Sequence, residues 1–295
     1  MFSEHEQKMY NNACAFGMKY QYISPNFAWG GNIINTTPNY DNNIKVGVVI
    51  GTCGSSDIIN LQLHYLKNIN KIENVLIVDD YSQEQDLLKN ICDKYNADLI
   101  ISPYKLPYIH LIGCNGDNYC IYKGLEWAKA KKLDVILKFS RRFIPCYNWI
   151  DNFKKLIKES DGITFSSYSD EMKMGFRTEC FGMNVNAWNN DVVMNNIKYI
   201  IDNDIPILAE YWYHNIAKYL DYYNHSKLWA KFKIQQNMTY ERSGYVMLKD
   251  LMGTCMKSNI NRNPNVMWHM FCDKNDYMNK IKTVLNIEPK HLNWC

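Results

Sequence analysis

Residues 45–82 read KVGVVIGTCGSSDIINLQLHYLKNINKIENVLIVDDYS, and this stretch decides the fold. Positions 46–50 form a short apolar, β-branched run, the pattern of a parallel strand buried on both faces. Ser55 or Ser56 is placed to cap a helix whose Ile58, Ile59, Leu61, Leu63 and Leu66 include helical spacings. Positions 75–78 are a second buried run, closed by Asp79, Asp80, Tyr81 and Ser82. A right-handed crossover between two such strands puts the 52–56 loop and the 79–82 turn at one edge of the sheet. Ligands of open α/β sheets bind at that edge, so a site is expected there.

The loop offers backbone N–H groups and a helix N-terminus, which suit phosphate. The aspartates offer acceptors for ribose hydroxyls or a base edge. A dinucleotide fold would need G-x-G-x-x-G after the first strand, and Gly51-Thr52-Cys53-Gly54 lacks that spacing. No Gly-Lys-Ser/Thr follows the strand either, which excludes a P-loop. The arrangement resembles the nucleotide-sugar-dependent glycosyltransferases of the GT-A fold, family-2-like. Their first strand ends in a Thr-containing loop and their second commonly ends in Asp-Asp-Gly-Ser. Tyr81 stands here in place of that Gly, a departure expected to alter the turn while keeping both carboxylates. The resemblance implies that Thr52, Cys53 and Gly54 shape the nucleotide pocket and that Asp79 or Asp80 holds the nucleoside.

Working outward, helices are predicted over 83–95, 116–132 and 147–158, and strands over 98–102, 135–139 and 163–166. In the second of these helices Tyr119, Leu125 and Ala128 are available for the buried side. The alternation predicts an α/β fold, a GT-A-like three-layer α/β/α sandwich with a mostly parallel central sheet. Beyond Ser167 the pattern changes. Positions 176–186 read as a strand pair or irregular segment, 194–203 and 209–223 as helices, and 276–285 as a final helix. The expected organisation is one continuous domain: an N-terminal extension over 1–43 packed on it, a nucleotide-sugar-binding half over 44–167, and an acceptor-binding half with C-terminal helices over 168–295.

Composition narrows the classes further. A chain of 295 residues with 47% hydrophobic and 21% charged residues can bury a sizeable core. A net charge of +3 is too mild to imply nucleic acid as the partner. No apolar run approaches the roughly 20 residues of a membrane span, and the first twenty residues lack the apolar core of a signal peptide. A cytoplasmic location is the resulting expectation. The ten cysteines show no CxxC pair, and reduced, packed thiols are expected. The seven histidines show no HxH or HExxH spacing, so no metal ligands are assigned.

The resemblance extends to Asn115-Gly116-Asp117 and the following Gly124-Leu125-Glu126-Trp127-Ala128, which look like the third helix of these transferases. Gly116 permits close backbone approach, and a helix N-terminus takes a diphosphate or a sugar hydroxyl. The family places an Asp-x-Asp motif at the end of the fourth strand, where the carboxylates hold Mg²⁺ or Mn²⁺ against the donor diphosphate. Here that strand ends Leu137-Lys138-Phe139-Ser140-Arg141-Arg142, with no acid. A divalent metal is therefore expected only if other ligands replace the motif. The alternative is that Lys138, Arg141 or Arg142 neutralises the diphosphate, with Ser140 beside it. Two further readings stand: pairing of these cations with acids such as Asp134 or Glu159, and a degenerate, inactive site.

An inverting transferase needs a base for the acceptor hydroxyl. The family places it early on a later helix, which implies Glu210, with His214 four residues on orienting it or touching the acceptor. Asp170 and Glu171 are the reserve. Tyr211, Trp212 and Phe181 offer aromatic faces for an acceptor glycan. The expected activity is transfer of a sugar from a nucleotide-sugar, a UDP-sugar favoured, to a hydroxyl of a glycan or glycoconjugate, as in glycan biosynthesis. Alternatives are a non-catalytic nucleotide- or glycan-binding domain and a sugar nucleotidyltransferase, although the latter usually carries a glycine-rich basic loop after strand one.

Overall fold

The computed structural model describes residue 40, residues 43–103, 115–141, 143–144, 149–160, 162–166 and 180–202, residues 213, 216, 217 and 220, and residues 245–247, 268–269 and 274–289. Its strands are β1 (Val46–Thr52), β2 (Asn74–Asp79), β3 (Asp98–Ile101), β4 (Val135–Ser140), β5 (Phe143–Ile144), β6 (Thr164–Ser166), β7 (Cys180–Asn184), β8 (Tyr245–Met247) and β9 (Trp268–His269). Its helices are α1 (Ser56–His64), which runs on into a π-turn over Tyr65–Ile69, then α2 (Gln85–Tyr95), α3 (Asn115–Ala130), α4 (Ile150–Ser160), α5 (Val185–Trp188), α6 (Asp191–Asp202) and α7 (Lys274–Leu285).

The main sheet has the order β3-β2-β1-β4-β7-β6-β8, and β5 pairs with β9 in a separate two-stranded sheet. β1 is parallel to β2 and to β4, β2 to β3, and β6 to β8, whereas β7 runs antiparallel to both its neighbours. The sheet is thus mostly parallel. Because β7 lies between β4 and β6, chain from the predicted acceptor half is built into the same sheet as the predicted nucleotide half.

Burial on both faces explains why β1 and β2 read as apolar runs, and β4 as one interrupted only by Lys138, rather than as alternating patterns. On one face Val48, Ile50, Ile77, Leu137 and Phe139 pack with Ile59 and Leu63 of α1, Leu88 of α2 and Phe153 of α4. On the other, Val49, Leu76, Val78 and Ile136 pack with Cys120, Ile121 and Leu125 of α3 and Val193 and Ile197 of α6. The result is the three-layer α/β/α sandwich. Cys120 and Ile121, rather than Tyr119, face that core, and Tyr119 is only partly buried against it. α7 docks on α1 through Ile281, which packs with Ile58 and Leu61. Among the described residues no helix is long and apolar enough to cross a membrane.

From β1 the chain moves outward to β2 and β3, then returns to β4 on the opposite side of β1. β1 and β4 therefore flank a topological switch point, and the crevice of such a sheet opens beyond the C-terminal ends of those strands. At that end Gly51 pairs with Ser140 and Thr52 with Asp79.

Candidate functional site

The two loops expected at the C-terminal edge are joined by direct hydrogen bonds. The Asp80 N–H donates to the Thr52 carbonyl at 2.8 Å. Asp79 is fully buried; one carboxylate oxygen accepts the Gly54 N–H at 3.2 Å and the other the Ser82 N–H at 2.8 Å. Thr52 is also buried, and its hydroxyl donates to the Gly54 carbonyl. Asp79 thus bolts the β1–α1 loop to the β2–α2 turn. The partly exposed Cys53 thiol lies 3.7 Å from the Asp80 carbonyl.

The N-terminus of α1 differs from the sequence expectation. Ser55 stands at the N-cap position in a left-handed conformation (φ 63°), and its side chain makes no capping bond. The Ser56 N–H is instead accepted by the Glu84 carboxylate at 2.8 Å, an anion supplied from 28 residues along the chain. The amides of Gly54 and Ser56, expected to be open to phosphate, are thus engaged by carboxylates of the protein itself. Tyr81 also departs from expectation. The turn keeps the shape a glycine would favour, because Tyr81 itself adopts φ 48°.

α3 brings a second set of groups to the same edge. A Cβ on Gly116 would stand 2.9 Å from Asp80 Oδ2, so the missing side chain is what admits that carboxylate to the first turn of α3. Gly51 plays the matching part beneath, since a Cβ there would meet Cys120 Sγ at 3.1 Å and Asp117 Oδ1 at 3.6 Å. Lys138 of β4 is fully buried, aligned with Val49 on one side and Phe181 on the other. Its ammonium lies 2.8 Å from Asp117 Oδ1, while the Asp117 side chain keeps 23% of its surface exposed. The partner of Lys138 is therefore Asp117, not Asp134 or Glu159; the Asp134 carboxylate accepts the Lys45 N–H and Glu159 faces Lys155.

Beyond β4, the half-buried Arg141 reaches back across the switch point. Its guanidinium donates to the Cys53 carbonyl at 3.4 Å and to the Ser55 hydroxyl at 3.3 Å. The Ser140 carbonyl accepts from Gln62 of α1 at 3.0 Å. Strand end, loop and helix are thereby tied together around one crevice.

Phe181, expected on the acceptor side, is a core ring. It is fully buried in β7, with centroids 6.0 Å from Trp188 and 5.5 Å from Tyr213. The reason is topological: β7 is an interior strand, and its side chains have no open face. Arg142, Asp170, Glu171, Glu210, Tyr211, Trp212 and His214 lie outside the described residues, as does the side chain of Asn115, which opens α3.

Two groups escaped the reading from sequence. Glu84 carries no local signal, because it caps a helix that is remote in sequence. Asn118 did leave one: it is a polar residue on the stripe of α3 that also carries Ile121, Leu125 and Ala128. A buried amide demands a partner, and the Tyr213 hydroxyl donates to it. Among the described residues no group of three or more His, Cys, Asp and Glu could hold a metal ion.

No family model matches the chain, and no curated protein sequence matches it. Among solved structures it is similar to the glycosyltransferase GlyE of Streptococcus pneumoniae TIGR4, at 13% identity and a TM-score of 0.43, over 71% of this chain and 46% of that one. The galactosyltransferase LgtC, in complex with donor and acceptor sugar analogues, is similar at 10% identity and a TM-score of 0.44, over 78% of this chain and 87% of LgtC. A cytidylyltransferase from Leptospira borgpetersenii is similar at 14% identity and a TM-score of 0.36, over 86% of this chain and all of that one. The match thus spans less than half the length of the pneumococcal enzyme. The strand order and layering of the chain itself define its architecture, a GT-A-like α/β/α sandwich with a mostly parallel sheet.

Proposed function

We propose that this protein is a glycosyltransferase that moves a sugar from a nucleotide-sugar, a UDP-sugar in the first instance, to a hydroxyl of a glycan or glycoconjugate, with inversion. One observation carries the reading. The β1–α1 loop, the Asp79–Ser82 turn, the start of α3 and the end of β4 all converge at the β1/β4 switch point, where open α/β sheets hold their ligands.

In this reading Asp80 accepts from the nucleoside, and Asp117 accepts from the sugar or ribose. Arg141 is the cation for the diphosphate, because Lys138 is already matched to Asp117. At the end of β4 the side chains are an ammonium and a hydroxyl where a metal motif would have carboxylates, so these residues do not fit a divalent ion. No step of the proposed reaction runs through one. The acceptor hydroxyl attacks the anomeric carbon as a base removes its proton, the glycosidic bond to phosphate breaks, and the nucleoside diphosphate leaves with its charge met by Arg141. Glu210 is proposed as that base and His214 as its neighbour. Supporting this, Tyr213, three positions from Glu210, donates to Asn118 beside Asp117 at the start of α3.

A thermal-shift screen of UDP, GDP, CDP and their sugar conjugates, each with Mn²⁺ and with EDTA, tests the reading. A ligand that binds the native state raises its apparent stability. Stabilisation by a nucleotide-sugar, undiminished in EDTA and lost in Arg141→Ala, is the expected result. No shift with any nucleotide would overturn it.

A further inference from the structure

Six non-glycine residues have positive φ among the described residues: Ser55, Lys71, Tyr81, Asn96, Lys132 and Asn286. Four of them close helices. Asn96 is the C-cap of α2, and Lys132 follows α3 where the Leu133 N–H donates to the Ala128 carbonyl at 3.0 Å. Asn286 follows α7 and donates to the Lys282 carbonyl, and Lys71 follows the π-turn where the Ile72 N–H donates to the Leu66 carbonyl. A left-handed residue at a helix end is repaid by the carbonyls it satisfies. Ser55 stands instead at the N-cap of α1, and Tyr81 alone of the six adjoins no helix terminus; both lie at the crevice.

Tyr81 is the more costly of the two, because a bulky aromatic side chain is poorly suited to this backbone region. Glycine would fit the turn at no steric cost. Both flanking amides are fixed: Asp80 donates to the Thr52 carbonyl at 2.8 Å and Ser82 to the Asp79 carboxylate at 2.8 Å. The turn therefore holds the Tyr81 backbone in one place, while half of the residue, 50%, remains exposed. A half-exposed ring carried on a backbone held in one place is open to a flat ligand.

The geometry points to Tyr81 as the stacking face for the nucleobase of the donor, next to Asp80, which accepts an N–H from the edge of the same base. This rests on the nucleotide-sugar reading given above. It makes Tyr81 a specificity-determining residue for a planar heteroaromatic group, and it explains why a strained tyrosine occupies a glycine-type position. Base-on-aromatic stacking is large enough to read in binding.

The test compares the full chain with Tyr81→Gly and Tyr81→Phe by calorimetric titration with UDP, GDP, CDP and inorganic pyrophosphate, and by thermal melting without ligand. The expected result has opposed signs. Tyr81→Gly weakens the preferred nucleoside diphosphate about tenfold, equivalent to about 1.4 kcal/mol, yet its unliganded melting temperature does not fall. Tyr81→Phe, which keeps the ring, restores the affinity, and any binding of pyrophosphate is unchanged in both. If the wild type binds a nucleoside diphosphate and Tyr81→Gly binds it equally well, the stacking role is overturned and the donor reading stands. If Tyr81→Gly loses affinity and melting temperature together, the ring is structural and the proposal fails. If the wild type binds no nucleoside diphosphate, the donor reading itself fails, and the stacking role with it.

Discussion

The ion pair between Lys138 and Asp117 makes an asymmetric prediction. Lys138 is fully buried between apolar strands, whereas Asp117 keeps 23% of its side chain exposed, and the two lie 2.8 Å apart. Deleting the carboxylate removes the anion 2.8 Å from the buried ammonium. Removing one partner of a buried pair costs ~3–5 kcal/mol, and partial exposure of Asp117 places Asp117→Ala near the lower end, about 3 kcal/mol. Lys138→Met keeps an apolar stem of similar shape between Val49 and Phe181 and leaves an anion that water can reach, so about 1 kcal/mol or less is expected. The double variant should be no less stable than Asp117→Ala alone, giving a coupling of about 1 kcal/mol or more. Urea unfolding of the four proteins measures this, with a midpoint shift of about 1 M for Asp117→Ala at the slope usual for such chains. If Lys138→Met proves the more damaging single change, or if the two losses simply add, the pair is not what holds the lysine in the core.

Three further outcomes follow from the geometry. Glu84→Ala removes the carboxylate that accepts the Ser56 N–H and should lower stability by about 1 kcal/mol, measured by chemical denaturation; no loss would mean that water serves equally well as the cap. Gly116→Ala drives a methyl group to 2.9 Å from Asp80 Oδ2, so nucleotide affinity in titration should fall about tenfold while the melting temperature stays near wild type; unchanged affinity would remove Asp80 from the site. Burial, with help from Asp93 and Asp98, pushes the Cys92 thiol from 9.0 up to about 12. A raised folded-state value gives stability that is fully present below pH 9 and lost as pH rises toward 12, at up to about 1.4 kcal/mol per pH unit. The stability of Cys92→Ala should therefore decline less steeply than wild type over that window, and parallel curves would contradict the assignment.

The fold was legible where the chain repeats one physical demand. β1, β2 and, apart from Lys138, β4 are apolar on both faces, and that requirement writes runs rich in Val, Ile and Leu that need no partner to be recognised. The expectation that the Thr52 loop and the Asp79–Asp80 turn share an edge followed from crossover geometry alone, and the Asp80–Thr52 hydrogen bond shows it. Boundaries were less legible. β7 falls within 176–186, a stretch whose own pattern fits a strand pair or an irregular segment equally, because an antiparallel strand inserted between β4 and β6 is specified by its neighbours.

The residues that meet at the switch point were legible as a list but not as a set of pairings. Crossover geometry read from the sequence placed the Thr52 loop and the Asp79–Asp80 pair at one edge of the sheet, and composition alone put cations, with no acid, at the end of β4. Tertiary structure alone decided that Asp79 is the bolt, that Lys138 is matched to Asp117, that Phe181 is a core ring, and that Glu84 occupies the N-terminus of α1. The physical reason is range. Hydrophobic periodicity is a property of consecutive residues, whereas the pairing of a charge depends on which groups the sheet order brings within hydrogen-bond distance from 20 or 30 positions away.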